Sequence, residues 1–160
     1  MSRPDLDLYF MRMARLVASR TTCLRRGVGC VLTDSRGRVL ATGYNGVPRG
    51  MPHCNAMERM PALAVPRYPD ACPGALIDGA SLDTCLAVHA EQNAILQCED
   101  ADAIATIYTT LAPCDSCLKL LQNTNATRLV VGAWWRDNEA LVRARWCQQA
   151  ARSVYLEGRT

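Results

Sequence analysis

The chain has 160 residues, 49% of them hydrophobic, which suffices for one compact domain with a single core and is too short for two ordinary ones, so residues 1–160 read as a single domain. A formal charge of +3 is too mild and too scattered for a nucleic-acid groove; it speaks against long nucleic acid as a partner and permits a small anionic substrate. No apolar run approaches the roughly 20 residues that span a bilayer, and the opening MSRPDLDLYF lacks the basic start and apolar stretch of a secretory signal, so the expectation is a cytoplasmic protein without membrane contact.

From Asp5 to Ser19, apolar residues including Leu8, Met11 and Leu16 fall at three- and four-residue spacing with Asp5 or Asp7 as the cap, which predicts a first amphipathic helix. Val28–Thr33 and Arg38–Tyr44 are short apolar runs joined by Asp34-Ser35-Arg36-Gly37, a pattern that predicts a hairpin. Residues 45 to about 84 hold six of the eight prolines and no sustained periodicity. An irregular segment of that length calls for a function, or for a cross-link or metal that ties it down.

Beyond it the pattern alternates. A helix is predicted from about Leu86 to Cys98, a strand over Ala105–Thr110, a helix over Cys114–Asn123, a strand over Arg128–Ala133, a helix from about Asn138 to Ala151 and a last strand over Ser153–Leu156. Strands alternating with helices imply an α/β fold, its sheet paired partly in parallel and covered by helices on both faces.

Nine cysteines form an odd set, ill suited to a closed disulfide framework, and metal is the better explanation. His53 and His89 are the two histidines, so a metal site must lean on thiolates. Lys119 is the one lysine; the remaining positive charge is arginine, which suits phosphate recognition and equally reflects codon usage.

The strongest signal is His89-Ala90-Glu91 followed by Pro113-Cys114-Asp115-Ser116-Cys117. One histidine and two cysteines can hold zinc with a fourth position open, the composition of a catalytic site. Taken together the two segments match the H-x-E and P-C-x-x-C signature of zinc deaminases. His89 falls in the first turn of one predicted helix, and Cys114 and Cys117 in the first turn of the next. Helix N-termini carry partial positive charge that favours thiolates, and the i, i+3 spacing puts both sulfurs on one face. Glu91, two residues from His89, is placed to move protons: from water to ring nitrogen 3 as the oxygen attacks ring carbon 4, then to the departing amino group.

Tyr9-Phe10-Met11, the Arg20 to Arg26 run RTTCLRR, Val28-Gly29, the Gly43 to Gly50 run GYNGVPRG with His53-Cys54, the His89 to Leu96 run HAEQNAIL and the Pro113 to Cys117 run cover most of the chain. In these segments it resembles the deoxycytidylate deaminases, and the GYNG-x-P-x-G element separates it from the riboflavin, guanine and transfer-RNA adenosine deaminases that share the zinc motif. The resemblance implies a three-layer α/β/α cytidine deaminase-like fold around a five-stranded mixed sheet, assembled as a homo-oligomer, usually a hexamer. It further implies dCMP as substrate and dUMP as product for thymidylate synthesis, with activation by dCTP, inhibition by dTTP, and Mg2+ accompanying that allosteric nucleotide. Catalytic zinc (Zn2+) would rest on His89, Cys114 and Cys117, with Glu91 as the catalytic residue. Tyr44, Asn45 and Gly46 would meet the sugar or an effector nucleotide, and Thr21, Thr22, Arg25 and Arg26 the phosphate. Here the family commonly has serine where Thr21 stands and alanine where Cys30 stands.

The resemblance also implies a second, structural zinc that pins the long segment, for which Cys23, Cys54, Cys72 and Cys85 are the candidate ligands and His53 a fifth. Cys30, Cys98 and Cys147 read as core. Trp134-Trp135 read as core or interface packing with the substrate pocket as the alternative, and Tyr155 is a candidate to lie near the base. Two other readings stay open: a deaminase of a free nucleoside, a modified cytosine nucleotide or a nucleic-acid base, and a zinc-stabilised binding module without catalysis, against which the intact Glu91 speaks.

Overall fold

The computed structural model describes residues 3–54, 85–134 and 138–157. Helix α1 (Leu6–Ala18) starts where the Asp5 carboxylate accepts the Leu8 amide at 2.7 Å, satisfying one of the amide donors that a helix start leaves free. Strands β1 (Gly29–Thr33) and β2 (Val39–Tyr44) form the hairpin. Its turn is organised by Asp34, whose carboxylate accepts from the amides of Arg36 and Arg38 and from the Arg38 guanidinium, while Gly37 takes φ +75°.

After the hairpin come α2 (Ala90–Leu96), a single 3-10 turn at Ala101–Ala103, β3 (Thr106–Thr109), α3 (Asp115–Gln122), β4 (Arg128–Val131), α4 (Glu139–Trp146) and β5 (Ser153–Leu156). The sheet runs β2-β1-β3-β4-β5. β1 is antiparallel to both neighbours, and β3, β4 and β5 are parallel to one another. The mixed five-stranded sheet expected from the resemblance is therefore present.

Alternation along the strands divides the interior in two. Val31, Tyr108 and Val130 point to the side covered by α1, where they pack with Phe10, Met11 and Ala14. Cys30, Leu32, Ile107, Leu129, Val131 and Val154 point to the opposite side, where they meet Ala90 and Ala94 of α2, Leu118 and Leu121 of α3, and Val142 and Trp146 of α4. At two places among the described residues a helix backbone rests on a strand backbone. A methyl group at Gly29 would come 2.0 Å from the Ala14 carbonyl oxygen of α1, and one at Gly43 would come 2.2 Å from the Ala90 carbonyl oxygen and 2.3 Å from the Ala94 nitrogen of α2.

Helices α2 and α4 are shorter than their sequence patterns predict. Val88 exchanges two backbone hydrogen bonds with Gly46, at 2.9 and 3.1 Å, which holds the chain extended up to His89 and delays the start of α2. Helix α4 ends at Trp146 because the chain must turn back into β5, and Ala151 takes φ +64° to do so. Arg152 then braces that turn, donating to the carbonyls of Gln122 and Thr124 at 3.0 and 2.7 Å while lying 4.5 Å above the Trp146 ring. Among the described residues no helix is long and apolar enough to cross a membrane.

Candidate metal centre and active site

His89 is the residue just before α2 and Cys114 the residue just before α3, both in extended conformation. Each thus points its side chain across a helix start and not along the helix. Cys117 follows one turn into α3, fully buried, and the Leu118 amide donates to the Cys114 carbonyl at 2.8 Å. The result is a compact donor set: the His89 Nδ1 lies 3.4 Å from the Cys114 sulfur and 3.3 Å from the Cys117 sulfur.

These distances fit zinc. Tetrahedral bonds of about 2.0 Å to nitrogen and about 2.3 Å to sulfur separate the donor atoms by roughly 3.5 Å. The three ligand atoms lie within 4.8 Å of one another, and no second such group of three or more occurs among the described residues. Three protein donors are also what a catalytic zinc takes, since the fourth position serves water or substrate.

Protons distribute unevenly in this group. A hydrogen bond from the Cys117 thiol, helped by another from His89, draws Cys114 down to about 4 in spite of its partial burial. Cys117 is pushed up by that same hydrogen bond and by burial. His89 is raised, chiefly through its hydrogen bond with Cys114. Glu91, in the first turn of α2, has 4% of its surface exposed; burial pushes its carboxyl above the ordinary carboxylate value while the charge of His89 pulls it down. It is not one of the three converging donors.

Two amides that the sequence reading passed over hold this helix in place. The Gln92 side chain accepts the His89 amide at 2.9 Å, and the Asn93 side chain donates to the Tyr44 carbonyl of β2 at 2.8 Å. Gln92 was legible in principle, since a polar residue three positions after a helix cap is the spacing of a capping box. Asn93 gives no such local signal. At the other helix, Arg145 of α4 pairs with Asp115 at 2.7 Å and steadies the start of α3.

A cleft of about 110 Å³ adjoins the donor set, lined by His89, Glu91 and Cys114, by the apolar Ala90, Leu111 and Ala112, and by Arg25, Arg26 and Asn45. Cys23 and Cys85 also line it. Of the other residues singled out, Tyr44 and Gly46 engage α2 and the segment before it through their backbones. Neither they nor Thr21 and Thr22 line the cleft. The Thr21 hydroxyl is committed locally, donating to the Asn45 carbonyl at 2.6 Å and accepting the Cys23 amide at 3.2 Å. Cys54 is half-buried and His53 exposed; Cys72 and Trp135 lie outside the described residues.

Two readings of core or pocket change. Tyr155 does not approach the cleft: it packs with the α1 cluster, under Arg128 at 4.7 Å, because its position in β5 points it to the other side of the sheet. Cys147, expected in the core, is exposed where α4 ends. Trp134 packs against the main core with Arg143 5.2 Å above its ring, as core packing requires. Cys30 is buried, and Cys98 is half-buried with its thiol 3.3 Å from the Asp100 carbonyl.

The model of the cytidine and deoxycytidylate deaminase zinc-binding region matches residues 4–133. The deoxycytidylate deaminase of Mycobacterium phage D29 is 43% identical over 131 residues, 81% of this chain and 96% of the phage protein. That of Schizosaccharomyces pombe is 45% identical over 117 residues, 72% of this chain and 33% of the yeast protein, so the chain spans nearly all of the one relative and about a third of the other. A dCMP deaminase of cyanophage S-TIM5, solved in complex with dCMP and dUMP, superposes with a TM-score of 0.68 at 24% identity, over 98% of this chain and 99% of that one. With a matching family model over most of its length and a phage relative of similar extent, the chain belongs to the cytidine and deoxycytidylate deaminase family.

Proposed function

We propose that this chain hydrolyses dCMP to dUMP and ammonia. The observation that carries the reading is a cleft in which His89 and Cys114, clustered with the buried Cys117, meet the buried Glu91 carboxyl and the Arg25-Arg26 turn. The names of the phage and yeast relatives support the choice of deoxycytidylate.

His89, Cys114 and Cys117 would hold zinc. When bound, the metal supplies a Lewis acid that lowers the pKa of water towards about 7. Glu91 takes a proton from the attacking water and delivers it to ring nitrogen 3 as the oxygen bonds to ring carbon 4. It then carries the second proton to the exocyclic nitrogen, the carbon–nitrogen bond breaks and ammonia leaves, so that dCMP and water balance dUMP and ammonia. Burial suits the carboxyl to both directions of transfer, because a raised pKa brings its acid and base forms closer in energy near neutral pH. Ala90, Leu111 and Ala112 give the base an apolar wall. Arg25 and Arg26 recognise the phosphate; charge-assisted hydrogen bonds of this kind contribute about 1.5–3 kcal/mol each.

Ammonia release measured across dCMP, deoxycytidine, cytidine, a modified cytosine nucleotide, an oligonucleotide, and adenine and guanine compounds tests the assignment. Two phosphate contacts predict that dCMP exceeds deoxycytidine by roughly 100- to 10,000-fold in kcat/KM. Equal efficiency on the two would remove the nucleotide reading, and release from none of the panel would remove the enzyme.

Cys23, Cys54, Cys72 and Cys85, with His53 as a further candidate, are proposed to hold a second zinc and tie down the segment between β2 and α2. The support is that Cys23 and Cys85, distant in sequence, line the same cleft. Elemental analysis should give two zinc ions per chain, reduced to one by Cys85→Ser. One ion, unchanged in that variant, would return these thiols to packing.

A further inference from the structure

Asn45 lies at the end of β2, between the turn that carries the two arginines and the segment that leads into His89. Its side chain reaches to one side of that gap: the amide oxygen accepts from the Val28 amide and the amide nitrogen donates to the Arg26 carbonyl, each at 2.8 Å, which uses one of its two donors and one of its two acceptor sites. Its backbone amide donates to the Val28 carbonyl at 3.2 Å, and its carbonyl accepts the Thr21 hydroxyl at 2.6 Å. On the other side, its two neighbours are fastened to the metal-binding helix and its approach, Tyr44 by the Asn93 side chain and Gly46 by the paired bonds to Val88. The asparagine is 8% exposed. Asn45 thus stands where the bonds to the Arg25-Arg26 turn and the bonds to the approach of His89 meet.

We infer that Asn45 is a positioning residue that sets the span between the phosphate end and the reacting end of the cleft, and so confers selectivity for a 5′-phosphorylated substrate. The inference rests on the nucleotide reading above. It differs from a sugar contact, which would serve nucleotide and nucleoside alike. A primary amide suits this task because it presents a donor and an acceptor in one plane, matching the Arg26 carbonyl and the Val28 amide on the facing chain. Losing both bonds frees residues 25–28 to shift relative to β2, and a displacement near 1 Å is enough to lower efficiency about 100-fold. A substrate without phosphate does not use that turn.

The test is steady-state kinetics of the full chain on dCMP and on deoxycytidine, with zinc content measured in parallel, for the unmodified protein, Asn45→Ala and Thr21→Val. Asn45→Ala should lower the ratio of kcat/KM for dCMP to that for deoxycytidine by tenfold or more, through KM for dCMP, with zinc retained. Thr21→Val, which loosens the same clamp from its far end, should lower the ratio by about threefold and carries the test if Asn45→Ala does not fold. A parallel fall on both substrates, an unchanged ratio or a fall confined to kcat overturns the inference. An unmodified protein that handles dCMP and deoxycytidine equally refutes the nucleotide reading itself, and the inference with it, before any variant is made.

Discussion

Replacing Gly43 by alanine puts a methyl group where β2 and α2 already touch through their backbones. The new carbon would stand 2.2 Å from the Ala90 carbonyl oxygen and 2.3 Å from the Ala94 nitrogen, about 1 Å inside ordinary van der Waals contact. Both obstacles are backbone, so no side chain can rotate away, and relief must come from moving α2 outward by a comparable distance. Overpacking of this kind costs about 1–3 kcal/mol, which at roughly 3 °C per kcal/mol for a chain of this size lowers Tm by about 3–9 °C. Because α2 carries Glu91 and begins at His89, the same shift should reduce kcat/KM by about 100-fold. Thermal unfolding and ammonia release on one preparation read both effects. Gly46→Ala serves as the stability control: its methyl would meet nothing nearer than the Tyr44 ring at 3.7 Å, and the change in stability should stay within about 0.5 kcal/mol. A Gly43→Ala protein that melts and turns over like the original would refute the close approach of helix and strand.

Glu91→Ala should keep its catalytic zinc and lose turnover by at least about 100- to 10,000-fold, since the carboxyl serves two proton transfers; zinc analysis beside activity separates this from loss of a ligand. The Asp34 carboxyl is held below its ordinary value of 3.8, first by the Arg38 amide. Its contribution is therefore complete above that value and disappears as pH falls through the lowered one. Urea midpoints measured on either side of pH 4 should show Asp34→Asn weaker than the original at neutral pH, with the gap closing in acid; a constant gap would contradict the sign. Arg152→Ala removes two charge-assisted hydrogen bonds and the stack on Trp146, and should cost about 2–4 kcal/mol in a denaturant titration. A loss below about 0.5 kcal/mol would show that the turn into β5 is held by something else.

What could be read from the sequence follows from how local each signal is. His89, Glu91, Cys114 and Cys117 sit at helix starts that directly follow extended segments, and short-range spacing specifies such places well. The alternation of strands and helices after residue 100 was equally legible because each element carries its own period. Leu86, Ala87 and Val88 look like a helix start by composition, yet the pairing of Val88 with Gly46 decides their conformation, and no local window contains both partners. The same holds for Asn45. Its position beside the cleft was inferable, but the bonds that occupy its side chain run to Arg26 and Val28, nearly twenty residues earlier. Tyr155 failed as a pocket residue because the direction of a strand side chain depends on register, and register becomes visible only once β4 and β5 are paired.

The division of the interior also separates the chromophores. Trp134 and Trp146 belong to the α2–α4 side, while Tyr9, Phe10 and Tyr108 form an aromatic chain on the α1 side, with ring centroids 5.0 Å apart at each step. With Trp135, Tyr44 and Tyr68 replaced by phenylalanine, tryptophan emission and the tyrosine bands of near-ultraviolet circular dichroism would observe opposite faces of one sheet. Superimposable denaturation curves from the two signals would mean that both faces give way in a single cooperative event. Curves that part company would show which face loosens first, without an added label.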